Sequence, residues 1–290
     1  MTKMRMILPI MLLVAAWVPA PAFAAPAGEQ QPAIDWVKGP GKAEIEKFAE
    51  IDLPKGYVFT GKKGTIAVMK MMGNLVTGQE AGFFAPEAIF DKNSKKNWFV
   101  VFEFNPIGYV KDDEKKNIDA AKLLETMKAG TIEGNKERTK MGLPTLEVIG
   151  WAVEPHYDEK THNLEWGLKL KSETGGEVVN YEVRLLGRDG VMQSTLVLGP
   201  GQLEKTLPEF RSLLATYDFR KGQRYAEYKP GDKIAKFGLL ALIGGGAIAV
   251  AAKTGLLKYV WKYIIFIVMG VVMFVKKIWD RVFRKKESVD

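Results

Sequence analysis

Asn163-Leu164-Glu165-Trp166-Gly167-Leu168-Lys169-Leu170-Lys171 is the stretch from which the fold can be read. Leu164, Trp166, Leu168 and Leu170 alternate with Glu165, Gly167, Lys169 and Lys171, the period of a β-strand with one covered face. Gly175-Gly176 then supplies a turn, after which Val179, Tyr181, Val183 and Leu185 alternate with Asn180, Glu182 and Arg184. A second turn, Gly187-Arg188-Asp189-Gly190, leads into Val191 to Leu198. The pattern predicts a three-stranded antiparallel meander with one core-facing side.

Working outward, Pro200 opens a helical stretch that restarts at Pro208, with Leu203, Leu207, Phe210 and Leu214 on one face. Thr216 to Phe219 reads as a short strand returning to the sheet. Upstream, Trp98 to Phe104 is apolar on both faces except at Glu103, as a central strand would be. Ala120, Leu123, Leu124 and Met127 repeat at helical spacing, with the acidic residues near Asp112 ahead of them as N-terminal caps. Ala43 to Leu53 reads as strand and Thr65 to Met72 as a short helix, its methionines serving as core filler. The sum is an α+β fold, an antiparallel β-sheet with helices packed on it. Its order of hairpin, hairpin, helix and closing strand is similar to the second half of the PsbP-like sandwich, a likeness of element order that implies no function.

The two ends of the chain give its expected address. Residues 1–24 have the parts of a secretory signal: Lys3 and Arg5, an apolar core from Ile7 to Val18, and Ala22-Phe23-Ala24 for the peptidase. Residues 25–42, rich in Pro, Gly, Gln and Ala, read as a flexible leader, and 43–232 as a periplasmic domain. At Phe237 the composition changes. A Gly- and Ala-rich apolar run reaches Ala252, and a bulkier run spans Tyr259 to Val275 with Tyr259, Trp261 and Tyr263 at its start. Residues 237–275 are therefore expected to form a helical transmembrane segment, followed by a basic tail over 276–290. With the domain outside, the positive-inside rule places that tail in the cytoplasm and the protein in a bacterial inner membrane. One crossing by the second run satisfies the rule, and two remain an alternative.

The formal net charge of +8 suggests a nucleic-acid partner until it is divided along the chain. Lys3 and Arg5 contribute +2, and the eleven basic and three acidic residues from Lys233 onward contribute +8. The exported domain keeps −2, so the expected partner is the lipid bilayer at the C-terminal segment, with another envelope protein possible and no nucleic acid. With no cysteine, thiolate catalysis and thiolate metal sites are excluded.

No motif points to a catalytic residue. The leading metal candidate, ahead of Asp112, Asp113 and Glu114 for calcium, is Glu154-Pro155-His156-Tyr157-Asp158-Glu159-Lys160-Thr161-His162, which holds both histidines of the chain. Two imidazoles with Asp158 would suit zinc or copper. Read without metal, Pro155, Asp158 and Asn163 shape a turn. Glu103 is a candidate buried carboxyl, and Arg184, Arg188, Arg224 and Tyr225 a candidate anion pocket. The reading favoured is a membrane-anchored binding or protein-interaction module of unknown ligand. The alternative is a metal-dependent envelope enzyme or metal-handling protein centred on His156 and His162.

Several phrases are distinctive together: Leu53 to Phe59, Trp98 to Phe104, Gly108 to Lys115, Gly150-Trp151, Pro155 to Asp158 and Thr161 to Leu164 with Trp166. Asn180-Tyr181, Arg184 to Arg188, Gly222 to Glu227 and Pro230 to Lys233 extend the set. In these phrases the chain resembles an uncharacterised family of bacterial membrane-anchored proteins, domain of unknown function 2167. The resemblance implies the anchored architecture, and it carries over no activity and no site residues.

Overall fold

A computed structural model describes residues 34–91, 94 and 96–244. The signal (1–24), the first part of the leader, the apolar residues after 244 and the basic tail lie outside them. Among the described residues no helix is long and apolar enough to cross a membrane.

The chain forms β1 (Val37–Lys38), β2 (Gly41–Ile45), β3 (Ala49–Leu53), β4 (Tyr57–Gly61), α1 (Lys62–Met71), β5 (Glu80–Pro86) and β6 (Phe99–Asn105). It continues with α2 (Ala120–Lys140), β7 (Leu146–Asp158), β8 (Asn163–Ser172), β9 (Glu177–Leu186), β10 (Val191–Leu198), α3 (Leu203–Leu214), β11 (Asp218–Phe219) and α4 (Ala241–Gly244). Eight strands make one antiparallel sheet in the order β1-β4-β5-β6-β10-β9-β8-β7, and β11-β3-β2 make a second of three strands. The expected meander is β8-β9-β10, and β6 pairs with β10 in the middle of the sheet.

Five local readings are corrected. Ala43 to Leu53 is two strands with a turn at Glu46 (φ 52°), not one, because both copies of the alternating pattern bury the same face on α3. Residues 37–38 and 41–42, expected in a flexible leader, are strand. The closing strand β11 joins the small sheet beside β3 instead of the large one. α3 runs through Pro208 without restarting, and the cap of α2 is Asp119, whose side chain accepts the Lys122 amide at 3.1 Å.

The meander differs from expectation in a way that decides the architecture. Register pairs Trp166 with Glu182 and Gly167 with Tyr181. Directly opposed residues share a face, so the Trp166 set and the Tyr181 set point to opposite sides of the sheet. Both sides are covered. On one, Phe59, Phe84, Phe102, Tyr181 and Leu196 pack against Ile45, Ile51 and Leu53 of the small sheet and Phe210 of α3. On the other, α1 places Val68 and Met69 on Phe83, Phe99 and Val101, while α2 places Met127 beside Leu164, Trp166 and Leu168.

The last pieces of that second cover are Leu239, Leu242 and Ile243, buried with Val110 and Trp166. They belong to the apolar run expected to begin a membrane segment at 237. An apolar run by itself does not distinguish core from lipid, and here its first residues fill the gap that α2 leaves beside Val110. Glu114 holds the approach to them by accepting the Leu240 amide at 3.2 Å.

Between α1 and α2 the same face carries a polar row. Glu80, Glu103, Gln193 and Arg184 are successive cross-strand neighbours. Arg184, 1% exposed, lies 4.6 Å over the Trp166 ring, and its Nη1 donates to Glu182 at 2.7 Å. Thr195 donates to the same carboxylate at 2.8 Å. Thr77 donates its hydroxyl to Glu103 at 2.8 Å and its amide to Glu80 at 2.6 Å. Arg184, the basic residue of the row, is thus paired with Glu182 and not with Glu103. Burial, reinforced by Glu80 and Glu182 and only partly offset by Thr77 and Arg184, pushes the Glu103 carboxyl up to about 7.

Two outcomes follow. Because the native state holds the Glu103 proton more tightly than the unfolded chain, stability falls as pH rises from about 4.5 to about 7. Glu103→Gln keeps the acceptor for Thr77 and removes that loss. Its midpoint in urea should match the parent near pH 4.5 and exceed it at pH 8, by a gain of up to about 3 kcal/mol. Leu239→Ala and Ile243→Ala should each cost about 2–5 kcal/mol in the same measurement, as core truncations do. Residues lying in lipid would leave the domain's unfolding unchanged.

Candidate functional site

The loop from β6 to α2, the β7–β8 turn and the segment after β11 meet in one corner of the fold. Glycine permits the meeting. Gly108 has φ 99°, and a Cβ there would stand 2.4 Å from the Lys233 carbonyl oxygen. Past it, the Tyr109 amide donates to that carbonyl at 2.8 Å and the Ala235 amide donates to Tyr109 at 2.8 Å. The result is a short parallel bridge between Tyr109 and Ile234. A fork from Arg188 to Asp232, both contacts 2.7 Å, fixes the start of this segment, and Arg188 together with the Lys229 amide holds the Asp232 carboxyl down at about 2.

Rings line the corner. Tyr109 stacks on Tyr225 with centroids 4.5 Å apart and an interplanar angle of 13°, and meets Tyr228, tilted by 32°, at 4.3 Å. Tyr225 lies 5.3 Å from the His162 ring and donates its hydroxyl to the Val110 carbonyl at 3.1 Å. His162 sits at φ 55°, a conformation that costs a β-substituted residue on the order of 1 kcal/mol or more, just before β8 begins.

Tyr157 links this stack to an acid. Its hydroxyl donates to Asp112 Oδ2 at 2.8 Å, and His162 Nδ1 is 3.1 Å from the Tyr157 hydroxyl oxygen. A carboxylate only accepts, and the hydroxyl has one proton. His162 therefore carries a proton on Nδ1 and donates it to the Tyr157 hydroxyl oxygen. Lys115 lies 3.6 Å from both Asp112 and Glu159 and 5.4 Å over the Tyr157 ring. Burial works against charge on Asp112, but the Tyr157 hydroxyl and Lys115 outweigh it and hold the carboxyl below its usual range. Burial, then Asp112, pushes the Tyr157 hydroxyl well above its own.

The residues expected to hold a metal do not converge. Tyr157 pairs with Leu164 and His156 with Glu165, so the neighbouring side chains leave β7 on opposite faces. His156 has Nδ1 3.0 Å from the Glu154 carbonyl and Nε2 3.8 Å from Glu165. Glu165 is itself held by Tyr181 and by Arg211 at 3.3 Å. His162 faces Tyr157 and Tyr225 on the other side. Asp158 turns back to accept the Lys160 amide at 2.8 Å, which is the turn-shaping role. Among the described residues no three His, Cys, Asp or Glu side chains are grouped to hold a metal ion. The arginines expected in an anion pocket also disperse: Arg184 to Glu182, Arg188 to Asp232 and Arg224 to Asp218.

The tyrosine set was missed because its members are scattered over more than a hundred residues. A signal was present, since Tyr109, Asp112, Tyr157, His162 and Tyr225 all lie in phrases that carry the family resemblance. Tyr157→Phe tests the link. Asp112 loses a donor that favours its charged form, so the variant should be less stable by about 1 kcal/mol above pH 5. The deficit should shrink as pH falls through the Asp112 titration, because protonated Asp112 no longer needs the donor. Urea unfolding at pH 7 and pH 3 gives both values.

Comparison with known proteins adds the following. No curated protein matches the chain. Cyanobacterial PsbP from Synechocystis aligns with a TM-score of 0.37 and 10% identity, over 68% of this chain and 98% of that one. The Saccharomyces cerevisiae Ran-binding protein Mog1p aligns at 0.34 and 8%, over 68% and 100%. A Pseudomonas aeruginosa protein of unknown function, PA94, aligns at 0.23 and 14%, over 41% and 70%. Likenesses this distant say nothing about what the chain binds. The family model for proteins of unknown function DUF2167, in contrast, matches residues 37–276, and the chain belongs to that family.

Proposed function

We propose that the chain is an exported domain of the bacterial envelope, tethered to the inner membrane by its C-terminal apolar residues, which works as a binding or protein-interaction module. The tyrosine corner is its contact surface. The observation that carries this reading is the burial of Leu239, Leu242 and Ile243 in the domain core. The apolar residues after Gly244 thus continue directly from packed structure, and the corner is held close to the start of the tether. Binding, not catalysis, is favoured by how the corner's polar groups are used. Asp112 is occupied by Tyr157, Tyr225 by the Val110 carbonyl and Glu114 by the Leu240 amide, all of which stiffen a surface.

Cell fractionation tests the tether. The full chain should stay in the membrane pellet through alkaline carbonate extraction, with its domain open to protease added to the periplasmic side. A chain ending at Gly244 should be released folded. Recovery of the full chain in the soluble fraction would overturn the reading.

A further inference from the structure

We propose that the tyrosine corner rests against the anionic headgroup layer of the same bilayer that receives the tether. This inference depends on the tether and adds the partner of the contact surface.

Three features of the exit segment support it. Ile234 is 44% exposed although it is an aliphatic side chain fixed by backbone pairing to Tyr109. Beside it, Tyr228 and Tyr109 present closely packed rings with polar tips, the amphipathic chemistry suited to a membrane interface. Lys229, Lys233 and Lys236 are exposed along the same segment, and Asp232, the acid among them, is neutralised by the fork from Arg188. Exposed Asp113 across the loop has Lys111 and Lys116, also exposed, on either side in sequence. Lysines beside an anionic leaflet are drawn to it, and several along one segment add.

The path of the chain identifies the occupant. Ile243 is fully buried on the domain, and the sequence from Ala247 to Ala252 is apolar. No polar linker separates the two, so a tether entering lipid brings the surface around its exit down to the headgroups. A soluble partner would need that surface clear of the membrane, and from Gly244 to Ala252 the chain has no polar residue to lift it.

The absence of cysteine allows a clean test with the full chain. Ile234→Cys and Glu204→Cys, the latter exposed on α3, are each labelled with an environment-sensitive fluorophore. The labelled chains are reconstituted in nanodiscs of phosphatidylglycerol and phosphatidylcholine containing a lipid with a shallow nitroxide quencher. The label at 234 should shift to the blue and lose about half its emission, as an interfacial group would, while the label at 204 stays unchanged. Its quenching should weaken in about 1 M salt, where the screening length falls to about 3 Å. A chain that enters nanodiscs with its 234 label unquenched, or with 234 and 204 quenched alike, would overturn the contact and leave the tether standing. A 234 label shifted to the blue without lipid quenching would place the surface against a second copy of the chain instead of lipid. Failure to enter nanodiscs would remove the tether and this proposal with it. Lys236→Cys provides a second label site should Ile234→Cys not fold.

Discussion

The eight-stranded sheet is apolar on both faces, and every other element is placed by the need to keep both from water. Apolar area left exposed costs about 25 cal/mol per Å², so a sheet this wide cannot leave half its surface bare. One face takes α3 and the small β11-β3-β2 sheet. The other takes two separate helices, α1 over β4-β5-β6 and α2 over the β7 end. Two helices do not close that second face completely. The remaining gaps are filled by Leu239, Leu242 and Ile243 at one place and by the polar row around Arg184 at another.

The polar row shows how a charge is accommodated under such a cover. Arg184 has Trp166 beneath its plane and Glu182 at its end, and Thr195 donates to the same carboxylate oxygen. A buried pair with good geometry and added hydrogen bonds roughly recovers its desolvation cost. Glu103 is less well provided for, having one hydroxyl and two neighbouring carboxylates, and its raised proton affinity is the consequence. Glu182, Arg184 and Glu103 look in sequence like the solvent side of amphipathic strands. Strand alternation reports only that successive side chains point to opposite faces, and cannot say that either face meets water.

The closing of the second face also makes the corner. Because the chain must return across the β6–α2 loop to deliver Leu239, it pairs with Tyr109 on the way, and the tyrosines of both segments stack. The same path joins packing to the proposed function: the residues that complete the core lead directly to the proposed tether, and the rings and lysines along it form the surface argued to face lipid.

By itself the sequence determined the meander β8-β9-β10, the central strand β6, the amphipathic faces of α2 and α3, and the family. These depend on local alternation, helical period and turn glycines, all readable along the chain. Tertiary structure decided what alternation leaves open. The Trp166–Glu182 register sent two apolar sets to opposite faces, and Ala43 to Leu53 folded into a hairpin on a second sheet. Tyr157, Asp112 and His162 were brought together across a turn while His156 was sent to the far side of its strand. Contacts between residues distant in sequence depend on register and chain return, which a one-dimensional pattern does not contain. For the same reason an apolar run beginning at Phe237 reads alike as membrane or core, and only the groove beside α2 shows that its first residues are core.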